Sequence, residues 1–265
     1  MKKTDTLKEI VQKKKEKIFL AKQQLTEDDL RVKIQTIPAP RPFIEQINKP
    51  KTISLIAEIK KASPSRGIIR QDFNYQEIAR IYQEAGACAI SVLTEEDFFQ
   101  GNIAYLNEIK SVVDLPLLRK DFILEPYQVY ESRYFGADAI LLLADLLSAQ
   151  NLSELISLAD TLGLDCLLEV HTEKELKKVL NLKKLVNFMI GINNRDLHTL
   201  EVDFKITEKL FPLIPKDRVI VVESGIKTYQ DVLFLKILGA SAVLIGEAFM
   251  EAENLKKKVE EVMGW

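Results

Sequence analysis

Cysteine and histidine are scarce in this chain, with two of each among 265 residues. Cys88 and Cys166 each stand near the start of an apolar run. They read as small core residues of a reducing compartment, and neither a disulfide nor a thiolate metal site is expected. His171 and His198 have no partner at the spacing of a catalytic triad or a second metal ligand, so neither is assigned a role and no metal is expected. Long apolar runs are missing as well. None reaches the roughly 18 residues of a membrane span, and Met1-Lys-Lys-Thr-Asp-Thr6 is not followed by the apolar core of a signal peptide. Nor is there an excess of charge of one sign. The 37 Lys and Arg against 39 Asp and Glu leave a net charge of −2, which gives no broad attraction for nucleic acid or a membrane surface. The expectation is a cytoplasmic protein whose partner is a small molecule, with neither nucleic acid nor membrane among its targets.

What the chain does contain is an ordinary core and a regular rhythm. At 47% hydrophobic and 29% charged, its 265 residues suit two small domains or one large barrel, a fold that takes about 250. Residues 1–47 stand apart. Leu7, Ile10, Val11, Ile18, Ala21 and Leu25 fall on one helical stripe with lysines and glutamines around it. Thr26-Glu-Asp-Asp29 resembles a capping box for a second, shorter helix, and Pro38-Ala-Pro-Arg-Pro42 closes the segment. Such a basic amphipathic helix can serve a membrane or a partner, but the narrow stripe points to packing on its own domain.

From Ile53 onward, apolar runs of strand character occur at 53–59, 88–93, 115–119, 138–143, 165–170, 186–192, 218–222 and 242–245. Helical spacing fills the intervals at 74–85, 102–113, 126–135, 148–162, 172–181, 203–211, 228–238 and 253–263. These eight units of roughly 26 residues predict an α/β fold, a closed (β/α)8 TIM barrel over 48–265, with 1–47 as a helical extension before strand one. The competing open sheet would carry a Gly-rich first turn, and Ser63-Pro-Ser-Arg-Gly67 is not Gly-x-Gly-x-x-Gly.

The organising stretch is Ala57-Glu-Ile-Lys-Lys-Ala-Ser-Pro-Ser-Arg-Gly67. Side chains alternate along a strand, so Glu58 and Lys60 share one face at the end of the first run. Charges there are costly unless paired with each other or with a ligand, and Ser63–Gly67 then breaks the chain with turn residues. In a barrel the C-terminal strand ends converge on one mouth. The other ends add Ser91-Val-Leu-Thr-Glu-Glu-Asp-Phe-Phe-Gln-Gly101, Leu118-Arg-Lys-Asp-Phe122, Leu168-Glu-Val-His171, Ile192-Asn-Asn-Arg-Asp196, Val222-Glu-Ser-Gly225 and Leu244-Ile-Gly-Glu247. One polar strand end is unremarkable, whereas this set supplies acid, base and cation together. At the last two, Ser224-Gly225 and Gly246-Glu247 place small residues where backbone N–H groups can approach a phosphate, and 246–251 is short enough for the extra helix of barrel phosphate sites. Singly, either glycine could merely end its strand.

With those ends in hand, the chain resembles the indole-3-glycerol-phosphate synthase family of tryptophan biosynthesis. The matching stretches are Ala57–Gly67, Ser91-Val-Leu-Thr-Glu95, Leu118-Arg-Lys-Asp-Phe122, Gly136-Ala-Asp-Ala-Ile140, Leu168-Glu-Val-His171, Gly191-Ile-Asn-Asn-Arg-Asp-Leu197, Val222-Glu-Ser-Gly-Ile226 and Leu244-Ile-Gly-Glu247. Arg66 stands where many members carry lysine. The resemblance implies a carboxy-lyase that needs no cofactor. Its substrate, 1-(2-carboxyphenylamino)-1-deoxyribulose 5-phosphate, is cyclised, decarboxylated and dehydrated to indole-3-glycerol phosphate, CO2 and water.

By the same resemblance Lys120 donates a proton to the oxygen formed on ring closure. Glu169 and Lys60 assist the dehydration with Glu58 tuning them, although which acts in which half-step stays open. Arg195 and Asn193 would bind the substrate carboxylate and neighbouring oxygens. Phe122 and Leu197 would face the anthranilate ring. Ser63 and Glu223 complete the substrate-binding set, and Ser224, Gly225, Gly246 and Glu247 would hold the phosphate. The expected assembly is a monomer or weak homodimer. Two other readings are weighed. Phosphoribosylanthranilate isomerase would want a Cys/Asp pair, and both cysteines sit at the wrong strand ends. A non-enzymatic scaffold would be expected to have lost part of the polar set.

Overall fold

The computed structural model describes residues 6–49, 52–182 and 188–265. Three helices come first: α1 (Thr6–Gln24), α2 (Glu27–Lys33) and α3 (Phe43–Ile47). Eight parallel strands follow, β1 (Ser54–Ile59), β2 (Ala89–Leu93), β3 (Leu117–Lys120), β4 (Ala139–Leu143), β5 (Asp165–Val170), β6 (Phe188–Asn193), β7 (Ile220–Glu223) and β8 (Ala242–Ile245). They pair in chain order, and β8 closes on β1 with Ser54 opposite Ala242. Helices α4 (Tyr75–Glu84), α5 (Tyr105–Lys110), α6 (Pro126–Tyr134), α7 (Ala149–Thr161), α8 (Glu173–Leu180), α9 (Lys205–Leu210), α10 (Tyr229–Leu238) and α12 (Leu255–Met263) form the outer ring. The short α11 (Glu247–Met250) follows β8 directly. Each predicted strand forms within a few residues of its predicted bounds; of the run 186–192, residues 186 and 187 lie outside the described ones, as do residue 50 of the boundary before β1 and the first five residues.

Strand alternation divides the apolar residues into two layers. Leu55, Ala57 and Ile59 point outward beneath the helices, whereas Ile56 points inward to meet Ala89, Leu118, Leu167, Met189, Val221 and Leu244 in the barrel lumen. The next inward positions toward the C-terminal ends include Glu58, Lys120, Glu169, Glu223 and Gly246, with Gly191 and then Asn193 on β6. The polar set therefore occupies the layer above a packed apolar floor.

Two features depart from the sequence reading. The Ser63–Gly67 turn, read as a plain break, is a small hairpin. Ala62–Ser63 pairs antiparallel with Gly67–Ile68, and the Arg66 N–H donates to Ser63 O at 3.2 Å. Pro64 suits the tight reversal, and Gly67 takes φ +66°. Helix α3 has no periodic signal in its five residues. It forms because Asp165 accepts N–H bonds from Phe43 (3.0 Å) and Ile44 (2.9 Å), while Asp138 accepts that of Arg41 (2.6 Å). Phe43 and Ile47 are fully buried in the same cluster as the lumen floor. The start of β5 thus anchors the segment that leads into β1.

The extension lies against the barrel through α6. Ile18 and Leu30 share a buried cluster with Tyr127 and Tyr130, and the Thr26/Asp29 capping box starts α2. The apolar stripe of α1 has a gap between Val11 and Ile18, and Lys14 fills it. Only 7% exposed, its Nζ lies 2.7 Å from Asp121 Oδ1 at the end of β3.

Candidate active site

The C-terminal strand ends enclose a cavity of about 730 Å³. All fourteen residues singled out from the sequence for catalysis, substrate or phosphate line it: Glu58, Lys60, Ser63, Lys120, Phe122, Glu169, Asn193, Arg195, Leu197, Glu223, Ser224, Gly225, Gly246 and Glu247. Convergence follows from alternation and closure. Residues two apart on one strand share a face, and the barrel turns every such face toward one axis.

Lys120 stands at the centre of the charged ring. Its Nζ donates to Glu169 Oε2 at 2.7 Å and Glu223 Oε2 at 2.5 Å, linking β3, β5 and β7. Lys60 Nζ lies 2.8 Å from Glu58 Oε1, forming the pair that alternation on β1 predicts. Asn193 Nδ2 donates to Glu169 Oε1 at 2.9 Å. Two glycines give these carboxylates room. A Cβ on Gly191 would fall 2.6 Å from Glu223 Oε1, and one on Gly246 would fall 2.5 Å from Glu58 Oε1. Gly246, read from sequence as space for a ligand, is thus also space for Glu58.

Burial and neighbouring charge push these groups apart. Burial works against the Lys120 ammonium, yet Glu169, Glu223 and Glu58 together raise its pKa well above the ordinary lysine value. Glu169 is equally buried, but Lys120 and His171 hold it well below the usual carboxylate range. Glu223 goes the other way. Burial and the negative charges of Glu169 and Glu58 outweigh its bond to Lys120, so its pKa is pushed up to about 7. Its Oε1 is buried without a hydrogen-bond partner. Two carboxylates on one lysine therefore differ: one stays ionised, and the other is poised to hold a proton near neutrality.

The rim differs in detail from the sequence reading. Arg195 and Asn193 line the same cavity but face different partners. The Arg195 guanidinium donates to Glu247 Oε2 (2.8 Å) and Leu200 O (3.2 Å) and lies 3.4 Å from Ser65 Oγ, while its backbone N–H reaches Asn193 Oδ1 at 2.9 Å. Glu247 begins α11, and its side chain also lies 3.5 Å from Arg66 Nε. Ser63 Oγ sits 3.4 Å from Ser65 Oγ. Phe122 and Leu197 give the cavity apolar wall, joined by Phe99, whose ring is 6.3 Å from that of Phe122. After β7, Ser224 and Gly225 both take left-handed conformations, φ +65° and +83°. The acidic loop after β2 is not a further acid of the site. Glu95 caps its own loop, accepting the N–H groups of Asp97, Phe98 and Phe99, while Glu96 and Asp97 pair with Lys17 of α1.

His171 and His198, left without roles above, both have acidic partners here. His198 Nε2 lies 3.0 Å from Asp145 Oδ2 on the exposed surface. His171 stands beside Glu169 and Glu175. The signal in the sequence was the two-residue step from Glu169, which put both side chains on one face. Among the described residues, no group of three or more His, Cys, Asp or Glu side chains is arranged to hold a metal ion.

The family model for indole-3-glycerol phosphate synthase matches residues 7–262, nearly the whole chain. The chain belongs to the indole-3-glycerol phosphate synthase family. An indole-3-glycerol phosphate synthase of Acetivibrio thermocellus is 49% identical over 257 residues, 96% of this chain and 98% of that protein. One of Desulforamulus reducens is 46% identical over 258 residues, covering 97% and 96% of the two chains. Among solved structures, 3-hexulose-6-phosphate synthase from Salmonella typhimurium superimposes with a TM-score of 0.65 at 14% identity, over 80% of this chain and 97% of that one. A mutant tryptophan synthase α-subunit from Pyrococcus furiosus gives 0.61 at 18% identity, over 80% and 98%. These two likenesses concern the barrel alone. Membership of the indole-3-glycerol phosphate synthase family sets aside the isomerase and scaffold readings. Cys88 precedes β2 and Cys166 is the second residue of β5, both at the end away from the cavity.

Proposed function

We propose that this chain performs the indole-3-glycerol phosphate synthase reaction, closing 1-(2-carboxyphenylamino)-1-deoxyribulose 5-phosphate to indole-3-glycerol phosphate with loss of CO2 and water. The observation that carries the reading is Lys120, a buried ammonium bridging two carboxylates in a cavity with aromatic walls. The ring carbon bearing the carboxylate attacks the sugar ketone, and a C–C bond forms as the carbonyl oxygen becomes an alkoxide. An alkoxide is far more basic than an amine, so Lys120 remains a competent donor even with its pKa raised. CO2 then departs, leaving its electron pair to the ring, and the new hydroxyl leaves as water. Lys60, paired with Glu58, suits donation to the leaving oxygen, and Glu169, kept ionised, suits taking the proton from the adjacent carbon, whose C–H electrons form the new double bond.

The remaining contacts follow from the rim. Phe122, Phe99 and Leu197 offer the anthranilate ring a flat apolar slot. Arg195 would exchange Glu247 for the substrate carboxylate, with Asn193 and Ser63 on neighbouring oxygens and Glu223 on the sugar hydroxyls. The phosphate would lie over Ser224-Gly225 and Gly246-Glu247, where the loops after β7 and β8 and the short α11 meet. No cofactor enters this scheme. Following indole fluorescence with the carboxyphenylamino substrate tests it directly. Turnover by the purified chain, unaffected by a metal chelator, is expected; no product at saturating substrate would overturn the assignment.

A further inference from the structure

His171 lies two residues beyond Glu169 and does not itself line the cavity. Its imidazole is held between two acids. Nδ1 faces Glu175 Oε2 at 3.4 Å, and Nε2 faces Glu169 Oε1 at 3.3 Å. The second contact is out of line for a hydrogen bond, and Nε2 is buried with no such bond elsewhere, so the attraction between these groups is one of charge. Glu175 is fixed independently of the ring. It is the third residue of α8, where Oε2 accepts the His171 N–H (2.7 Å), Oε1 accepts the Thr172 hydroxyl (2.6 Å), and its own N–H is capped by Thr172 Oγ1 (3.3 Å). A helix cap thereby aims a ring nitrogen at a catalytic carboxylate.

The geometry points to His171 as a positioning residue whose imidazolium, anchored by Glu175, keeps Glu169 ionised and turned toward Lys120. This rests on the reading above, in which Glu169 works as the base. The charged and titratable groups facing Glu169 are Lys120 from β3, Glu223 from β7 and His171, while Glu58 from β1, paired with Lys60, acts on Lys120 and Glu223; Asn193 from β6 adds a neutral donor. Lys120 is shared with Glu223, so its charge is divided between two acids. His171 is the cation that Glu169 does not share with Glu223. The pair also supports itself: burial disfavours the imidazolium, but Glu169 and Glu175 push its pKa up to about 10, so it is charged throughout the neutral range.

The test measures proton affinity and rate separately. Carboxyl carbon shifts of labelled glutamate, followed against pH by NMR in the intact chain, report the titration of Glu169, identified by its loss in Glu169→Gln. In His171→Gln, which removes the charge and keeps a polar side chain, Glu169 should titrate about one to three units higher, the effect of an opposite charge within 4–6 Å. The acidic limb of kcat/KM should rise with it, so that activity lost at low pH returns as pH increases. Glu175→Gln is the milder variant should His171→Gln misfold. It should lower the pKa of the imidazole itself, readable because the chain has only two histidines. An unmoved Glu169 titration, with a loss of rate equal at every pH, would reduce His171 to packing and overturn the proposal. If the wild-type chain makes no indole product, the reaction assignment fails instead, and the carboxyl titration still decides the role of His171.

Discussion

Lys120 neutralises two buried acids at rest, and under the proposed reaction it would also supply a proton during ring closure. Replacement by Met keeps the aliphatic stem and removes only the charge and its protons. Loss of a general acid costs about two to four decades in rate, whereas the ground-state complex should lose little. Steady-state kinetics of Lys120→Met should therefore show kcat collapsed with KM nearly unchanged. Near wild-type turnover would pass the role to Lys60. Glu223 makes the opposite case, a group that strains the fold for the sake of the site. A carboxyl whose pKa is raised by folding binds its proton more tightly in the native state. Its effect on stability is then harmless below about pH 4.5 and grows unfavourable as pH climbs to about 7. Glu223→Gln should raise stability at pH 8 by on the order of 1–3 kcal/mol, while the same change at pH 4 does nothing. Urea melts at the two pH values would show it, and equal midpoints in both proteins would contradict the raised pKa.

The extension helix α1 reaches the site through a row of lysines of unequal worth. Lys14 is buried against Asp121, the residue after Lys120. Burial works against that carboxylate too, yet Lys14 and Arg119 hold it well below the usual range. Thr94 Oγ1 (2.7 Å) and Arg119 Nη2 (3.1 Å) take its other oxygen, and Phe122 N–H the first (2.8 Å). Lys17 pairs with Glu96 and Asp97 near the surface, at 41% exposure. Breaking a buried pair from one side costs about 3–5 kcal/mol, and an exposed pair is worth under about 1 kcal/mol. Lys14→Met should thus lower the unfolding free energy several times more than Lys17→Ala, measured by denaturant titration. Because Asp121 lies between Lys120 and Phe122, Lys14→Met should also weaken substrate binding. Equal small effects from both would mean that α1 merely rests on the barrel.

The barrel as a body separates its stabilising floor from its working mouth. The lumen below Glu58, Lys120 and Glu169 is packed with apolar side chains, and Asp138 and Asp165 tie the residues leading into β1 to the opposite end. Glu58, Lys120, Glu169 and Glu223 all lie at the C-terminal strand ends, where (β/α)8 enzymes generally carry their active sites. An anion should accordingly bind only there. Crystals soaked in sulfate or phosphate should show it over Ser224-Gly225 and Gly246-Glu247. Inorganic phosphate at 100 times its Kd should add about 2.7 kcal/mol of stability, raising the melting temperature. An anion found at the opposite end of the barrel, with this rim empty, would refute the phosphate assignment.

Much of this was legible in the chain before folding was considered, and for a definite reason. The eight strands announced themselves because alternation and apolar runs are local properties, and closure of eight right-handed strand–helix units is nearly the only way to bury them. The paired Glu58 and Lys60 were readable by the same two-residue step. So were the polar strand ends, since each is a short, self-contained violation of burial. Contacts between distant segments were not. Lys14 looked like one more solvated lysine until folding set it against Asp121 at the β3 end. Some misses were local: Glu175 is only four residues beyond His171, yet the turn into α8 is what brings its carboxyl to the ring, and helix α3 had no periodicity to betray it. Arg195 was placed on the rim, but its hold on Glu247 depends on how the ends of β6 and β8 stand on either side of β7. Sequence spacing specifies which side of a strand a residue faces; the shear and closure of the barrel specify which residue it then meets.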